Sequence, residues 1–320
     1  MANNNNKKYV ELIWADKYDR FEKGEKTPLE RPNLPFQVVE TINKPRLKDL
    51  ESGLFDPEKF YPENEYPPNY PKDWKNLLIW GDNKLVMSSL IKQGWAGKVN
   101  LIYIDPPFFT GADFTVRTTV GDEEIEKEPS IIEERAYKDT WSGGIASYLK
   151  YMYERLVLMR ELLAENGSIY VHLDWHVGHY VKVMMDEIFG YENFQREIIW
   201  DIRVLSGYKT KTNNWIRGHD LILFYSKSKS FTFNRLTVPH DEKYLSRFDK
   251  VDKTGRRYFD DRGEPRYLDE VISKGKAIGD VWDDIMSFQQ IPTAVERLHF
   301  DTQKPEALLK RIILASSNPG

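Results

Sequence analysis

The chain has 320 residues, of which 40% are hydrophobic and 13% aromatic, enough for one large α/β domain or two smaller ones. It contains no cysteine, which excludes disulfides, cysteine metal sites and a thiolate nucleophile, and with the thiolate any C5-cytosine methylation through a cysteine adduct. Neither a signal peptide nor a run of about 20 apolar residues is present, so we expect a soluble, intracellular protein with no membrane contact.

The net charge is −4, and the charged residues are unevenly distributed along the chain. Residues 203–257 contain 13 Lys or Arg and 5 Asp or Glu, so the rest of the chain is strongly acidic. A basic block inside an acidic protein predicts a local contact with a polyanion. A solvated basic face is the alternative interpretation of the same pattern.

Along the chain, an irregular segment comes before an α/β alternation. Nine prolines interrupt residues 1–75 and predict an extended arm. Apolar periodicity then predicts strands over residues 76–80, 99–104, 168–173, 197–200 and 221–225, and helices over residues 84–93, 145–164, 177–189 and 305–316. Residues 109–144 are expected to form a long loop, either functional or a disordered insertion. The short connections favour a parallel, doubly wound sheet, and Asn166-Gly167 a left-handed helix cap.

The tetrapeptide Asp105-Pro106-Pro107-Phe108 follows the predicted strand over residues 99–104. Open α/β sheets bind ligands at the carboxyl ends of their strands, so these side chains are expected to line a crevice. An acid, two rigid prolines and an aromatic ring would form a stiff pocket, polar at one end and flat at the other. Such a pocket suits a planar base with an exocyclic amine. A purely structural strand-to-loop turn is the alternative.

Two further stretches are expected beside this crevice. Asp82 follows the predicted strand over residues 76–80, which would bring its carboxylate to the same edge of the sheet. A helix cap is its alternative role. Gln303-Lys304-Pro305 opens the last predicted helix, with the proline at a favoured early position.

A histidine-rich stretch is the other candidate site. His172, His176 and His179 lie within eight residues, with Asp174 among them. Their spacing would permit a metal site, but the residues are divided between a predicted strand end and a predicted helix start. We therefore expect no metal, and a hydrogen-bonded structural cluster near the crevice instead.

On these motifs the chain resembles the β group of DNA amino-methyltransferases, the adenine-N6 and cytosine-N4 enzymes of restriction–modification systems. It looks closest to the modification subunits of type III systems. The resemblance covers residues 8–320 and is densest in three stretches, residues 101–114, 137–189 and 279–320. It implies an α/β, Rossmann-like S-adenosylmethionine-dependent methyltransferase fold with an inserted target-recognition region and an irregular N-terminal arm.

The resemblance also implies a division of the chain and its partners. The expected parts are a Pro-rich arm (1–75), the catalytic half (76–200), the target-recognition region (201–285) and the start of the cofactor-binding half (286–320). Duplex DNA would be the substrate, and a second copy and a restriction or helicase subunit are candidate partners. The protein would be cytoplasmic and of prokaryotic or phage origin. In the family a Gly-rich cofactor loop follows the stretch that ends here at Gly320, so we expect residues 1–320 alone to be inactive.

Site roles follow from the resemblance residue by residue. Asp105 at the first tetrapeptide position favours N6 of adenine, with cytosine N4 as the alternative target and a DNA-binding module without activity as the alternative function. Asp82 would contact the adenine of S-adenosylmethionine, and Gln303, Lys304 and Pro305 would line its methionine side. The resemblance places Trp200 and Arg203 beside the target base. The mixture of cations and aromatics in the recognition region, and not the resemblance, indicates further DNA contacts, with plain surface as the alternative: Lys209, Lys211, Arg217, Arg256 and Arg257. Core packing is the alternative for Trp200.

The physical chemistry of the tetrapeptide agrees with transfer to an amine. A ring amine is a poor nucleophile because its lone pair is conjugated. The Asp105 carboxylate and the Pro106 carbonyl can accept both amine protons, which favours a pyramidal nitrogen with a free lone pair. Phe108 would stack on the flipped base, worth ~1–3 kcal/mol, of the same order as the few kcal/mol needed to unstack it. Direct in-line transfer then requires positioning and electrostatics, without a covalent enzyme intermediate.

Overall fold

The computed structural model describes residues 10–14, 17, 31–38, 76–109, 116–120, 123–127, 144–202, 213–298 and 302–318. The expected DNA contacts Arg203, Lys209 and Lys211 lie outside the described residues, as does most of the expected N-terminal arm.

The described elements form a sheet with helices on both faces, followed by a group of short elements. The strands are β1 (Val99–Ile104), β2 (Val116–Val120), β3 (Glu123–Lys127), β4 (Leu163–Leu173), β5 (Phe194–Asp201), β6 (His219–Ser226), β7 (Thr237–Val238), β8 (Lys250–Val251), β9 (Arg257–Asp261), β10 (Glu264–Tyr267), β11 (Lys276–Ala277) and β12 (Val281–Trp282). The helices are α1 (Asn83–Leu90), α2 (Ile145–Leu162), α3 (Gly178–Phe189), α4 (Glu242–Leu245), α5 (Leu268–Lys274) and α6 (Glu306–Ser316), with a π turn at Ile91–Trp95 and a 3-10 turn at Tyr191–Asn193.

The main sheet is mixed, and the expectation of a parallel sheet is wrong in this respect. Its strand order is β1-β4-β6-β5-β12. β1 is parallel to β4 and β12 is parallel to β5, but β6 is antiparallel to both of its neighbours. Parallel neighbours need a crossover, usually a helix. β6 is antiparallel to β5 and needs no such crossover, and the described residues of the β5–β6 connection contain no helix.

The predicted strand over residues 76–80 is also wrong. The segment has no strand hydrogen bonds, and Leu78 and Trp80 are 100% and 92% exposed. In the sheet as described, β1 is an edge strand. An apolar run becomes a buried strand only when a neighbour satisfies its backbone groups and covers its side chains, and residues 76–80 have no such neighbour among the described residues.

The long connection between β1 and α2 is not wholly a loop. β2 and β3 form an antiparallel hairpin inside it, with Val116 opposite Lys127 and Val120 opposite Glu123. β2 has β-branched residues at alternate positions, which is typical of a strand. The acidic composition of the whole stretch nevertheless led to the prediction of a loop. The rest of this connection lies outside the described residues.

The expected left-handed cap at the end of α2 is absent. Leu163 has extended backbone angles and leads directly from α2 into β4. A Cβ on Gly167 would lie 2.9 Å from Leu163 Cγ and 3.0 Å from the carbonyl oxygen of Asn100. A glycine is needed at residue 167 because β1 and β4 approach closely there, and not because the backbone turns left-handed.

Side chains alternate between the two faces of the sheet, and each face has its own core. α1, α2 and α3 pack on the face that carries Ile169, Val171 and Leu223. α6 packs on the other face, where Leu308 and Ile312 are buried against Tyr170, Ile222 and Trp282. Burying each such aliphatic side chain stabilises the fold by about 1.5–3 kcal/mol, which fixes α6 to the sheet.

β7 to β11 and the short helices α4 and α5 form a smaller unit between β6 and β12. β8, β9 and β10 make an antiparallel sheet over a small core of Phe248, Phe259 and Val271. None of the helices within the described part of the chain is long and apolar enough to cross a bilayer.

Candidate active site

Three carboxylates meet at one edge of the main sheet. β1 and β4 are parallel, so the residues after them, Asp105 and Asp174, lie at the same edge. β6 is antiparallel to β4, with Leu221 opposite Leu173, so its first residues, including Asp220, start at that edge. The carboxyl edge of the sheet is therefore the site that the sequence predicts for a ligand crevice.

The tetrapeptide lies directly after β1, and all four of its residues are half-buried. The next residue, Phe109, has φ of 58°, which places a non-glycine residue in the left-handed region. Such a conformation costs of order 1–3 kcal/mol and persists only when the surroundings enforce it. The ring of Phe109 packs 5.8 Å from that of Tyr148 on α2. This packing holds the exit of the tetrapeptide in one conformation.

Lys304 connects the last described helix to the tetrapeptide. Pro305 is buried and caps the amino end of α6, and Lys304 comes just before it. The Lys304 Nζ lies 2.5 Å from Asp105 Oδ2 and 5.8 Å from the centroid of the Phe108 ring. The structure thus brings two predicted site stretches together and puts one carboxylate and one ammonium in contact at this edge of the sheet.

A buried polar chain lies beside Phe108, on the face of the sheet that α6 covers. The Tyr103 hydroxyl lies 2.8 Å from His172 Nδ1, and His172 Nε2 lies 3.1 Å from Asp220 Oδ2. Burial, with the charges of Asp105 and Asp220, raises the pKa of Tyr103. Burial also acts to raise the pKa of the Asp220 carboxyl, but His172 and Arg217 hold it below its ordinary value. Tyr103 therefore keeps its proton while Asp220 carries its charge.

Arg217 is held at the same edge by two acids. Its Nη2 donates to Asp220 Oδ1, and its Nη1 lies 3.3 Å from Asp174 Oδ2. Asp174 in turn accepts at Oδ1 from the His176 backbone N–H, and its Oδ2 lies 2.8 Å from His176 Nδ1. The expectation of a hydrogen-bonded cluster in the histidine-rich stretch is confirmed for His172 and His176. His179 is exposed on α3.

Trp200 lies in the core between β5 and α6. It is 3% exposed, and its Nε1–H donates to the carbonyl oxygen of Ile285. The edge of its ring faces His172, with the two ring centroids 5.5 Å apart. Core packing is the role that these contacts describe.

Asp82 is the amino-terminal cap of α1, the alternative role expected for it. Its Oδ1 accepts from the Lys84 backbone N–H at 2.7 Å, and Arg155 Nη2 lies 3.2 Å from both carboxylate oxygens. Arg155 lies on α2 seven residues beyond Tyr148, which is ~10 Å along a helix. With residues 76–80 not in the sheet, Asp82 lies against the middle of α2. Its expected contact with a cofactor stays a prediction.

The remaining predicted residues make contacts within their own neighbourhoods. The side-chain amide of Gln303 makes two hydrogen bonds with the preceding loop. Its Nε2 donates to the Glu296 carbonyl, and its Oε1 accepts from the Leu298 N–H. Arg256 pairs with Asp269 and Glu270, and Arg257 donates to the Phe248 carbonyl. Arg256 and Arg257 both lie in the small unit, where they help to hold β9 in place.

Tyr103 and Asp220 are the site residues that the sequence reasoning did not identify. The available signal was weak: Asp220 is a lone acid at the start of an apolar strand within the basic block. Among the described residues, no group of three or more His, Asp or Glu side chains is arranged to hold a metal ion. The crevice instead has a paired carboxylate and ammonium, together with an aromatic ring.

Comparison with known proteins gives a consistent result. A family model described as DNA methylase, N6_N4_Mtase, matches residues 99–320, which include every residue of the crevice. The chain is similar to the type II methyltransferase M.EcaI of Enterobacter cloacae, at 36% identity over 57% of this chain and 36% of that protein. It is 30% identical to the EcoP15I Mod subunit of an Escherichia coli type III restriction-modification enzyme, over 49% of this chain and 25% of that protein.

A third relative is the DNA adenine methyltransferase YhdJ of Escherichia coli strain K12, 26% identical over 70% of this chain and 63% of that protein. The chain spans about a third of M.EcaI and a quarter of the EcoP15I Mod subunit.

Proposed function

The chain belongs to the DNA methylase family, and from this premise we propose that it transfers a methyl group from S-adenosylmethionine to N6 of adenine in duplex DNA. The activity would serve a restriction–modification system. One observation carries the proposal: the Asp105 carboxylate and the Phe108 ring lie together after β1, with the His172 ring 5.8 Å from that of Phe108. Acid and ring are the two features that a flipped amino base requires.

The residues of the proposed site bind the target base in two ways, by hydrogen bonds and by stacking. The Asp105 carboxylate accepts a hydrogen bond from one N–H of the adenine amine, and the Pro106 carbonyl accepts one from the other N–H. After transfer the methylated nitrogen loses one of these two protons, which the Asp105 carboxylate is placed to take up. These two acceptors favour a pyramidal nitrogen, whose lone pair is no longer conjugated with the ring and points out of the ring plane. Phe108 stacks on the base and offsets the few kcal/mol of unstacking. Because the acceptors are held before the base arrives, they stabilise charge that develops during transfer without reorganisation.

S-adenosylmethionine, when bound, supplies a methyl group activated by a sulfonium. The Lys304 ammonium suits the α-carboxylate of such a ligand, and in the structure it pairs with Asp105. Pro305 fixes Lys304 at the start of α6, so its ammonium stays within reach of the crevice. We keep Asp82 and Gln303 as proposed cofactor contacts, although in the structure both side chains bind other parts of the chain.

Duplex DNA as the substrate is supported by the basic block. We propose that residues 201–285 form the target-recognition region, between a catalytic half (76–200) and the start of a cofactor-binding half (286–320). Cationic side chains there would contact phosphates, which gives affinity that depends on salt but not on sequence.

Similarity to a Mod subunit supports a type III system, in which a second copy or a restriction subunit would be the partner.

Cytosine N4 is the second candidate target, because the matching family model is named for both N6 and N4 enzymes. Adenine is preferred for two reasons. Asp105 stands at the position where the family resemblance favours adenine, and YhdJ is named as an adenine methyltransferase.

A transfer assay tests the proposal. The full-length protein is incubated with methyl-labelled S-adenosylmethionine and unmethylated genomic DNA, and DNA binding is followed in parallel on filters. The wild type should label the DNA, whereas Asp105→Ala should bind DNA without labelling it. Wild-type binding with no transfer of label would contradict the proposal and favour a binding module without activity.

A further inference from the structure

Three polar side chains join adjacent strands beneath the Phe108 ring. Tyr103 on β1, His172 on β4 and Asp220 on β6 lie on the same face of the sheet and bond in sequence, at 2.8 Å and 3.1 Å. His172 is 0% exposed and Asp220 is 5% exposed. Burying polar groups is costly unless every one of them is hydrogen-bonded, and the proposed chemistry uses none of these three. Their presence therefore needs another explanation.

The bonds within this chain have a direction. Tyr103 keeps its proton, so its O–H can donate to His172 Nδ1, and the Nε2–H is then free to donate to Asp220. An imidazole bound at both nitrogens has one orientation about its side-chain torsions. The ring of His172 is consequently a fixed surface, and Phe108 packs on it at 5.8 Å between centroids, tilted by 39°.

Arg217 extends the same chain to the outer side of Phe108. Its guanidinium bridges Asp220 and Asp174, and its Nε donates to the His219 carbonyl at 3.3 Å. Its Cζ lies 6.0 Å from the Phe108 ring centroid. Two carboxylates, both almost completely buried, thus balance the charge of one arginine. A guanidinium neutralised in this way has little charge left to attract a phosphate.

We propose that His172, Asp220 and Arg217 are positioning residues that hold the Phe108 ring in the orientation required to stack on the target base. This inference rests on the proposed function. It gives Arg217 a role different from the DNA contact expected from its place in the basic block. Since Arg217 comes from the segment just before β6, the inference also connects the proposed recognition region to the base pocket through one side chain.

The substitution Arg217→Lys separates the two roles. A lysine keeps the positive charge but lacks the planar fork that can bond two carboxylates at once. If Arg217 positions Phe108, Arg217→Lys should lower kcat about 10- to 100-fold, as expected for a small misplacement of a catalytic group. The Kd for duplex DNA should stay within about twofold. If Arg217 instead contacts a phosphate, lysine should preserve both kcat and Kd.

The experiment uses the full-length protein and a duplex containing its mapped methylation site. We compare the wild type with Arg217→Lys, Arg217→Met and Tyr103→Phe. For each protein we measure kcat and the Kd for DNA over a range of salt concentrations. The fluorescence of 2-aminopurine at the target position reports the stacking of the flipped base. Tyr103→Phe removes only the hydroxyl that orients His172, so it tests the same chain without a charge change. Arg196→Met is the control, since Arg196 is an exposed arginine on β5 far along the strand from this edge.

The positioning role predicts lower kcat in all three site variants, altered 2-aminopurine fluorescence, and a slope of log Kd against log salt equal to that of the wild type. A slope reduced by about one in Arg217→Met, with kcat retained in Arg217→Lys and Tyr103→Phe, would overturn the inference. Failure of the wild type itself to transfer methyl groups would instead count against the proposed function, so the two failures are distinguishable.

Discussion

The Nζ of Lys304 lies 2.5 Å from Oδ2 of Asp105, although the two residues are 199 positions apart in the sequence. The contact joins the start of α6 to the tip of β1 and places an ammonium beside the carboxylate proposed to bind the target amine. Charge-assisted hydrogen bonds of this kind are among the stronger ones in proteins. The orientation of Asp105 therefore depends on a residue from the far end of the chain.

Removing this ammonium should slow methyl transfer. A hydrogen bond to a charged group is worth about 1.5–3 kcal/mol, so Lys304→Met should lower kcat about 10- to 100-fold through a less well oriented Asp105. The measurement is steady-state transfer of labelled methyl groups to duplex DNA. Lys310→Met, which changes an exposed lysine on the same helix, serves as the matched control. Equal rates in both variants would show that Lys304 is dispensable.

The Asp105 carboxylate should be required for transfer but not for DNA binding. Asp105→Asn keeps the shape of the side chain but replaces one acceptor by a donor that opposes the target amine. By analogy with other preorganised hydrogen-bonding groups, we expect a loss of about 10²- to 10³-fold in kcat. Fluorescence anisotropy should give an unchanged Kd for DNA. Glu165→Gln, at the opposite edge of the sheet, is the control. A parallel loss of DNA affinity would make Asp105 a structural residue.

The Phe108 ring should affect transfer more than affinity, because phosphate contacts provide most of the affinity. Loss of ~1–3 kcal/mol of stacking corresponds to a decrease in kcat/KM of about 5- to 160-fold for Phe108→Ala. Phe108→Tyr retains a stacking face and should recover most of the rate. Phe233→Ala removes a half-exposed ring away from the crevice and should change neither quantity. Unaltered kinetics in Phe108→Ala would exclude the stacking role.

The Asp220 carboxyl should contribute stability that depends on pH. Despite its burial, His172 and Arg217 depress its pKa in the folded protein, below the value of ~3.9 expected in the unfolded chain. Its contribution is therefore complete above that unfolded value and is lost as the pH falls through the folded value. Urea unfolding at pH 7 and pH 3 should show a difference between wild type and Asp220→Asn that shrinks at pH 3. A difference independent of pH would contradict this assignment.

The strand that leads into the proposed site is predictable from the sequence because the signal there is local. A buried apolar strand followed at once by Asp105-Pro106-Pro107-Phe108 specifies both the element and the place where it ends. The start of α6 was similarly identified from Pro305, whose ring suits the first position of a helix. Both inferences need only neighbouring residues, and the structure confirms the strand and the helix.

Other features depend on residues that meet only in three dimensions. The predicted strand over residues 76–80 is wrong because an apolar run does not reveal whether a neighbouring strand is present to cover it. The bridge from Arg217 to Asp174 and Asp220 exists because β6 runs antiparallel beside β4, and the parallel sheet expected from the sequence would not produce it. The mixture of cationic and aromatic residues around Arg217 predicts a DNA contact, and that local pattern does not reveal its two carboxylate partners.

The proposed product is N6-methyladenine, and mass analysis of nucleosides distinguishes it from N4-methylcytosine. DNA methylated by the full-length protein is digested and compared with DNA treated by Asp105→Ala. We expect N6-methyladenine in the wild-type sample and none in the variant. N4-methylcytosine in place of N6-methyladenine, or no modified nucleoside from active DNA-bound protein, would contradict it.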